Sequence, residues 1–165
     1  MIAVYDAGGV VTGAATRREV YAHGLWHASA GVLVRARDER IYVHLRTATK
    51  ATWPSRHDCL AGGVVDAGET PEAAALRELD EELGVRDVAI RPLAQLAWDG
   101  EWAGKPLRCH LFAYEARHDG PFVHQASEIV DGWWWTSGQL LEHLADPAWP
   151  FVDDTRALVP YLGLH

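Results

Sequence analysis

The sequence predicts a mixed α/β sandwich. Three observations predict it: β-rich runs recur along most of the chain, one sharply punctuated helix sits near its middle, and two helices close it. The length, 165 residues, suits one domain, so 1–165 is read as a single unit. A chain of this length buries roughly 70% of its unfolded surface and needs no disulfide or metal staple to fold. With 48% hydrophobic and 23% charged residues, the composition is that of a soluble globule.

The elements follow in order. IAVYD opens as a short strand and runs into the Gly-rich turn DAGG; residues 1–27 carry no clear chemistry of their own. Residues 28–36 and 40–46 are β-rich and flank the polar turn Arg37-Asp38-Glu39, which reads as a hairpin. The stretch 47–57 is polar with a proline and reads as a loop, and CLAGGVV is a short strand broken by a Gly pair. The central helix follows, with Thr70 as its cap, Pro71 at its first position, Glu72 in its first turn and Gly84 as its stop. Residues 87–98 and 107–116 read as strands joined through AWDGEWAGKP, and 129–135 as one more. Alternation sends Trp133, Trp134 and Trp135 to opposite faces of that last strand. Helices at about 137–145 and 154–162 finish the chain.

Composition excludes several classes of function. A net charge of −8 argues against general affinity for nucleic acid or anionic membranes. No run of 18 apolar residues predicts a membrane-spanning helix, and MIAVYDAGGV lacks the basic start of a secretory signal. Cys59 and Cys109 show no CxxC spacing, so neither a disulfide framework nor a zinc site is expected, and the reducing cytoplasm is the expected compartment.

The negative charge is concentrated. Residues 66–82 hold seven acidic side chains and one base, Arg77, and so carry −6 of the −8. On a helix, Glu81 and Glu82 fall about 60° and about 40° to either side of Glu78, and Leu76, Leu79 and Leu83 fall on the opposite side. Like charges at i,i+4 cost an isolated helix about 0.2–0.5 kcal/mol per pair, and the macrodipole disfavours anions toward the helix C-terminus. A bound cation makes sense of such a face, although a solvated acidic surface has the same pattern. Carboxylate oxygens without soft ligands suit Mg²⁺ or Mn²⁺, which commonly share their ligands with substrate phosphates.

The surrounding residues decide between these. Residues 63–85, GVVDAGETPEAAALRELDEELGV, match G-x5-E-x7-R-E-U-x-E-E-x-G-U (U apolar) at every specified position. The segment resembles the Nudix box. The resemblance implies a Nudix hydrolase with an α/β/α sandwich, cleaving a nucleoside diphosphate linked to a further group. By position, Glu78, Glu81 and Glu82 would be ligands of Mg²⁺ or Mn²⁺, with the Gly63 carbonyl as a further candidate. Glu69 and Arg77 would orient loop and helix through an ion pair. The metal would neutralise the diphosphate and activate a water. The family has no single place for the general base; Glu78 is one candidate, and Glu128, in ASEIVDGWWW, is another.

The flanks GLWHAS, LRTATKATWPSRHD and AGGVVDAGE resemble the branch related to isopentenyl-diphosphate isomerase. That enzyme's catalytic Cys and metal-binding His would fall at Gly62 and Val64, and its later glutamates at Lys105 and Leu107; only His27 matches a ligand. Arg46, Lys50 and Arg56 lie in the loop that faces the phosphate side in this branch. Trp53, Trp98 and Trp102 are candidates for base stacking, with packing as the alternative role. Signatures of NADH, diadenosine-polyphosphate, ADP-ribose and coenzyme A subclasses are not found. The expected function is therefore metal-dependent hydrolysis of a nucleotide-type small molecule. An isomerase and a non-catalytic nucleotide sensor are the rivals, and the sequence leaves the oligomeric state open.

Overall fold

The computed structural model describes all residues, 1–165. An antiparallel ribbon, β1 (Ile2–Tyr5) and β2 (Val11–Ala15), leads into α1 (Arg17–His23). Then come β3 (His27–Arg35), β4 (Ile41–Arg46), β5 (His57–Asp58), β6 (Ala61–Val64) and α2 (Pro71–Leu83). The long pair β7 (Ile90–Trp102) and β8 (Lys105–Arg117) follows, with β9 (Ile129–Trp135), α3 (Ser137–Leu144), α4 (Asp153–Leu158) and a 3-10 turn, Val159–Tyr161.

Strand β3 is the axis. It runs parallel to β8 from His27↔Cys109 to Arg35↔Arg117 and antiparallel to β6, while β8 pairs with β7. A strand has only two edges, and β3 has given both away. The expected hairpin therefore survives only at its base, with the single pair Arg35↔Ile41 joining β3 to β4. Beyond it the strands part, and β4 takes β9 and β5 as neighbours.

Successive residues of β3 serve opposite faces. Val32 and Val34 join Ala74, Ala75, Leu79 and Leu83 of α2 in one core, whereas Leu33 joins Ile41, Val43, Leu140, Phe151 and Leu158 in another. Helices thus cover both faces, and the architecture is the expected α/β/α sandwich. Thr70 caps α2 by accepting the Ala73 N–H at 3.1 Å, and Gly84 ends it at φ 69°. Burying Leu79 and Leu83, each worth about 1.5–3 kcal/mol, holds the helix to the sheet. Leu76, expected on the same stripe, is 37% exposed and lies at the edge of that face. As alternation predicts, Trp134 packs toward the first core and Trp135 toward the second.

Two further segments depart from expectation. The ten residues 97–106, read as a turn, are mostly strand; only Ala103 and Gly104, at φ 51° and 78°, turn the chain. Pro106 is tolerated because β8 pairs with β3 only from Cys109 onward, so its main chain is free on that side. The N-terminal 27 residues also hold more structure than expected, namely β2 and α1. Helix α1 starts with a capping box, in which Thr16 Oγ1 accepts the Glu19 N–H and Glu19 Oε2 accepts the Thr16 N–H. Ala3 N donates to Val65 O and Ala67 N to Met1 O, which fastens the ribbon to the segment that follows β6. No helix is long and apolar enough to cross a membrane.

Candidate active site

The segment between β6 and α2 is built around one guanidinium. Arg77 forks onto Glu69, with Nε at 2.8 Å from Oε2 and Nη2 at 2.9 Å from Oε1. Its Nη2 also reaches Val64 O at 3.2 Å, and Nη1 reaches Glu78 Oε1 at 2.7 Å. Glu69 in turn accepts the Asp66 N–H, so loop and helix are tied through a single bidentate pair. The Arg77 bond holds the Glu69 carboxyl below the usual carboxylate range.

Two of the three carboxylates on the acidic face of α2, Glu78 and Glu82, turn inward. Glu82 is 3% exposed, and the side chains of Glu78 and Glu81 are 13% and 47% exposed. This is no solvated charge stripe. Burial, with the neighbouring Glu78 adding to it, pushes the Glu82 carboxyl up to about 8. Burial also raises Glu78, against the pull of Arg77. Both Gly62 and Gly63 lie where a side chain has no room. A Cβ on Gly62 would run into Ala30 O and lie 2.5 Å from Gly31 Cα. A Cβ on Gly63 would lie 2.5 Å from Glu78 Oε1, so the Glu78 carboxylate rests directly on this glycine.

This donor set fits a hard divalent cation in kind, since it consists of carboxylate oxygens with buried negative charge left to compensate. As arranged, Glu78 is engaged by Arg77, and no three His, Cys, Asp or Glu side chains converge in metal-holding geometry. Arg77 reaches only Oε1, so Glu78 keeps Oε2 available to a cation.

The helix face borders a cavity of about 380 Å³. Gly63, Arg77, Glu78 and Glu81 line it, together with Glu128, Arg46 and Lys50 from the loops around β4 and before β9. Glu82 lies behind this wall. Lys50 pairs with Glu128, and its charge is also felt by Glu78 and Glu82. Arg46 is braced by the Trp53 and Thr52 carbonyls at 3.1 and 2.9 Å. Arg56, expected beside these two, is absent from the lining. It bonds Asp153 Oδ1 at 2.9 Å and Phe151 O at 3.2 Å, with its guanidinium 5.2 Å from the Trp53 ring. Trp53 lines the cavity, whereas Trp98 and Trp102 pack against it from outside.

Sequence reasoning missed the rest of the cavity wall. Arg17 and Tyr21 of α1, Asp58, Asp154 and Thr155 line it unforeseen; His27, the one residue that matches an isomerase ligand, lines it too. His27 is buried and shares a hydrogen bond with Leu25 O through Nδ1, and burial lowers its pKa. Asp58 and Asp154 are both raised by burial, Asp154 to about 7 with Asp58 adding to the effect. One signal was available: Thr16-x-x-Glu19 followed by Gly24 is a capping box and a stop, which marks α1. Nothing local brings residues 17, 21 and 154 together.

Comparison with known proteins places these features in context. The NUDIX domain family profile matches residues 25–155. The chain is 60% identical over 165 residues to the uncharacterized Nudix hydrolase orf19 of Rhodococcus erythropolis, covering 96% of this chain and 89% of that one. It is 37% identical to the uncharacterized Nudix hydrolase SCO1686 of Streptomyces coelicolor, covering 92% and 81% of the two chains. Among solved structures, DR0079 from Deinococcus radiodurans superposes with a TM-score of 0.82 at 25% identity, covering 98% of each chain. The Nudix domain of Shewanella oneidensis NrtR, solved with ADP-ribose, shares the fold at a TM-score of 0.63 and 18% identity, covering 89% and 96%.

Proposed function

The chain belongs to the Nudix family, and on that premise we propose that it hydrolyses a phosphoanhydride in a nucleoside diphosphate derivative with a divalent metal ion. The observation that carries the reading is the acidic face of α2, on which Glu82 is buried and Glu78 largely so, bordering a cavity whose other loops bring Arg46 and Lys50. Carboxylates of one sign are expensive to bury unless a cation and a bound anion complete the balance. Glu78, Glu81 and Glu82, with the Gly63 carbonyl, would hold Mg²⁺ or Mn²⁺. Such an ion supplies charge neutralisation for the diphosphate and a water of lowered pKa.

The chain's own residues do the rest. Arg77 and Glu69 hold α2 against the loop that carries Gly63. Arg46 is braced from behind and presents a fixed cation to the phosphates. Lys50, shared between Glu128 and the α2 acids, neutralises that side until substrate arrives. Glu78 and Glu128 are the candidates to take the proton from the attacking water; each is paired with a cation, Glu78 with Arg77 and Glu128 with Lys50. The isomerase alternative needs a cysteine at position 62, where the β3 main chain leaves no space for any side chain.

The test is turnover of nucleotides, nucleotide sugars and isopentenyl diphosphate with Mg²⁺ or Mn²⁺, products being resolved by chromatography. Chelation should stop the reaction and added metal restore it. Glu82→Gln should abolish turnover while the protein stays folded, because it removes a ligand charge without removing volume. Wild-type activity in that variant would overturn the metal assignment. Tight nucleotide binding without turnover would favour a sensor, and isomerisation of isopentenyl diphosphate would favour the isomerase.

A further inference from the structure

The two carbonyls that hold Arg46 belong to residues 47–56, a loop with no helix or strand of its own. Thr52 and Trp53 supply them, and the Trp53 side chain is what anchors that loop. We propose that Trp53 is a positioning residue for Arg46, and that the far end of the β7–β8 hairpin grips it from outside the cavity. Arg46 meets the phosphates in the reading above, on which this assignment rests.

Trp53 sits in a conformation that its own chain disfavours. Its φ is 51°, in the left-handed region where a bulky side chain is an outlier, and Pro54 after it restricts it further. Such a residue persists only where the packing around it over-determines its place. Here the packing is aromatic. Trp53 is 4% exposed, and its ring lies 4.6 Å from that of Trp102 and 6.1 Å from that of Trp98. Arg56 brings its guanidinium to 5.2 Å from the same ring, and Leu107 and Val152 complete the cluster. Gly100 makes room for Trp98, whose indole lies where a Cβ on residue 100 would be. The same crowding leaves Trp53 little surface to stack on a base, although it borders the cavity.

This clasp acts on the direction of Arg46. Arg46 ends β4, and its main-chain N–H donates to Arg56 O at the other end of the loop. Its Nε donates to Trp53 O and its Nη2 to Thr52 O, and no carboxylate pairs with it. Both acceptors are neutral, so they fix the guanidinium without cancelling its charge. A long side chain at a polar rim otherwise samples many rotamers, and ordering it beforehand spares the substrate that cost. Neither Trp98 nor Trp102 lines the cavity; Trp53 stands between them and Arg46.

The experiment compares Trp102→Ala, Trp53→Ala and Trp53→Phe, alone and combined with Arg46→Lys, with thermal melts confirming that each is folded. Trp102 is partly exposed, so its variant carries the comparison if Trp53→Ala does not fold. NMR follows hydrogen exchange at the Arg46 Nε–H, identified by its absence from Arg46→Lys. Exchange should quicken about tenfold in Trp102→Ala and Trp53→Ala, and stay within about threefold of wild type in Trp53→Phe. KM for a nucleoside diphosphate with Mg²⁺ should rise about tenfold in Trp102→Ala, with kcat within about threefold. The inhibition constant of inorganic pyrophosphate, which has no base, should rise by the same factor. In the Arg46→Lys background, Trp102→Ala should raise KM by about twofold at most. Wild-type exchange in a folded Trp102→Ala protein would overturn the assignment, as would the full KM effect persisting in Arg46→Lys. A rise in KM for the nucleotide with none for pyrophosphate would also overturn it, in favour of stacking on the base. If the wild type cleaves no phosphoanhydride, the reading above fails, and the exchange rates alone decide whether the clasp holds Arg46.

Discussion

Adjacent glycines at 62 and 63 allow one substitution to be played against itself. Both positions are closed to a side chain, but by different obstacles. At Gly62 the obstacle is main chain: Ala30 O and Gly31 Cα of β3, a strand locked along nine register pairs to β8. Relief in Gly62→Ala requires β6 to move off by about 1 Å to regain ordinary contact distance, which stretches the bonds of a ladder only four residues long. Overpacking of this kind costs typically 1–3 kcal/mol, and a rigid main-chain obstacle puts the expectation at the upper end, about 3 kcal/mol. At 2–4 °C per kcal/mol for a chain of this size, the melting temperature should fall by about 6–12 °C. At Gly63 the obstacle is the tip of Glu78, with Oε1 at 2.5 Å and Cδ at 2.7 Å, and a side-chain tip can swing away. Gly63→Ala should cost the fold only about 1 kcal/mol, the bond from Arg77 to Glu78, yet it displaces a proposed metal ligand. Its kcat/KM should fall about a hundredfold or more with a melting temperature within about 4 °C of wild type. Thermal melts and initial-rate assays on the two variants decide the matter. A Gly62→Ala protein that melts with wild type would refute the reasoning, as would a Gly63→Ala protein that melts as low as Gly62→Ala.

Three other outcomes follow from buried charge. Asp154, pushed up to about 7 from an ordinary 3.8, keeps a proton in the folded state that the unfolded chain has released. Its stability contribution is therefore complete below about pH 4 and is lost as pH rises to 7, on the order of 2–4 kcal/mol. Asp154→Asn should accordingly melt close to wild type at about pH 4 and several degrees above it at about pH 8; a gap that does not grow with pH would contradict the assignment. His44 works with the opposite sign: burial depresses it to about 3, so stability declines as pH falls from about 6.5 toward 3, and His44→Gln should flatten the acid limb of a denaturation-versus-pH curve. Glu115, 5% exposed, meets Arg35, Arg91 and Arg117 at 3.2–3.4 Å. In Glu115→Ala the exposed Arg91 and Arg117 can turn to water while Arg35 cannot, so urea titration should show a loss of about 2–3 kcal/mol; a loss below about 1 kcal/mol would mean that Arg35 finds another partner.

What was legible in the sequence divides by distance along the chain. The box from Gly63 to Val85 is contiguous, so the spacing of Glu69, Arg77 and Glu78 already dictates that loop and helix face each other, and the structure shows the forked ion pair. Caps at Thr70 and Gly84 and the two-faced run Val32-Leu33-Val34 are likewise local signals with one physical reading. The hairpin at 37–39 failed because pairing depends on competitors: nothing within 28–46 says that β6 and β8 will claim both edges of β3. Arg56 failed for a related reason, since its partner Asp153 lies 97 residues away.

The same division explains why chemistry was easier to read than specificity. The acidic face of α2 concentrates its charge within about one turn, where periodicity exposes it. The rest of the cavity wall instead takes Tyr21 from α1 and Asp154 from α4, with β3 and the loop after β4 between them, and no pattern links positions that far apart. Its tethers are visible only in three dimensions. The ribbon β1–β2 is pinned by Val65 and Trp26, which fixes α1 over the cavity; Arg56, removed from the phosphate side, is bonded to Asp153 and so braces the start of α4 next to Asp154. A basic residue that looked like a substrate contact is thereby a support for one wall of the cavity. If that is its role, Arg56→Met should lower the melting temperature by loosening the start of α4 and leave KM for nucleoside diphosphates nearly as it was. A phosphate contact would instead weaken all anionic substrates equally, whatever their sugar.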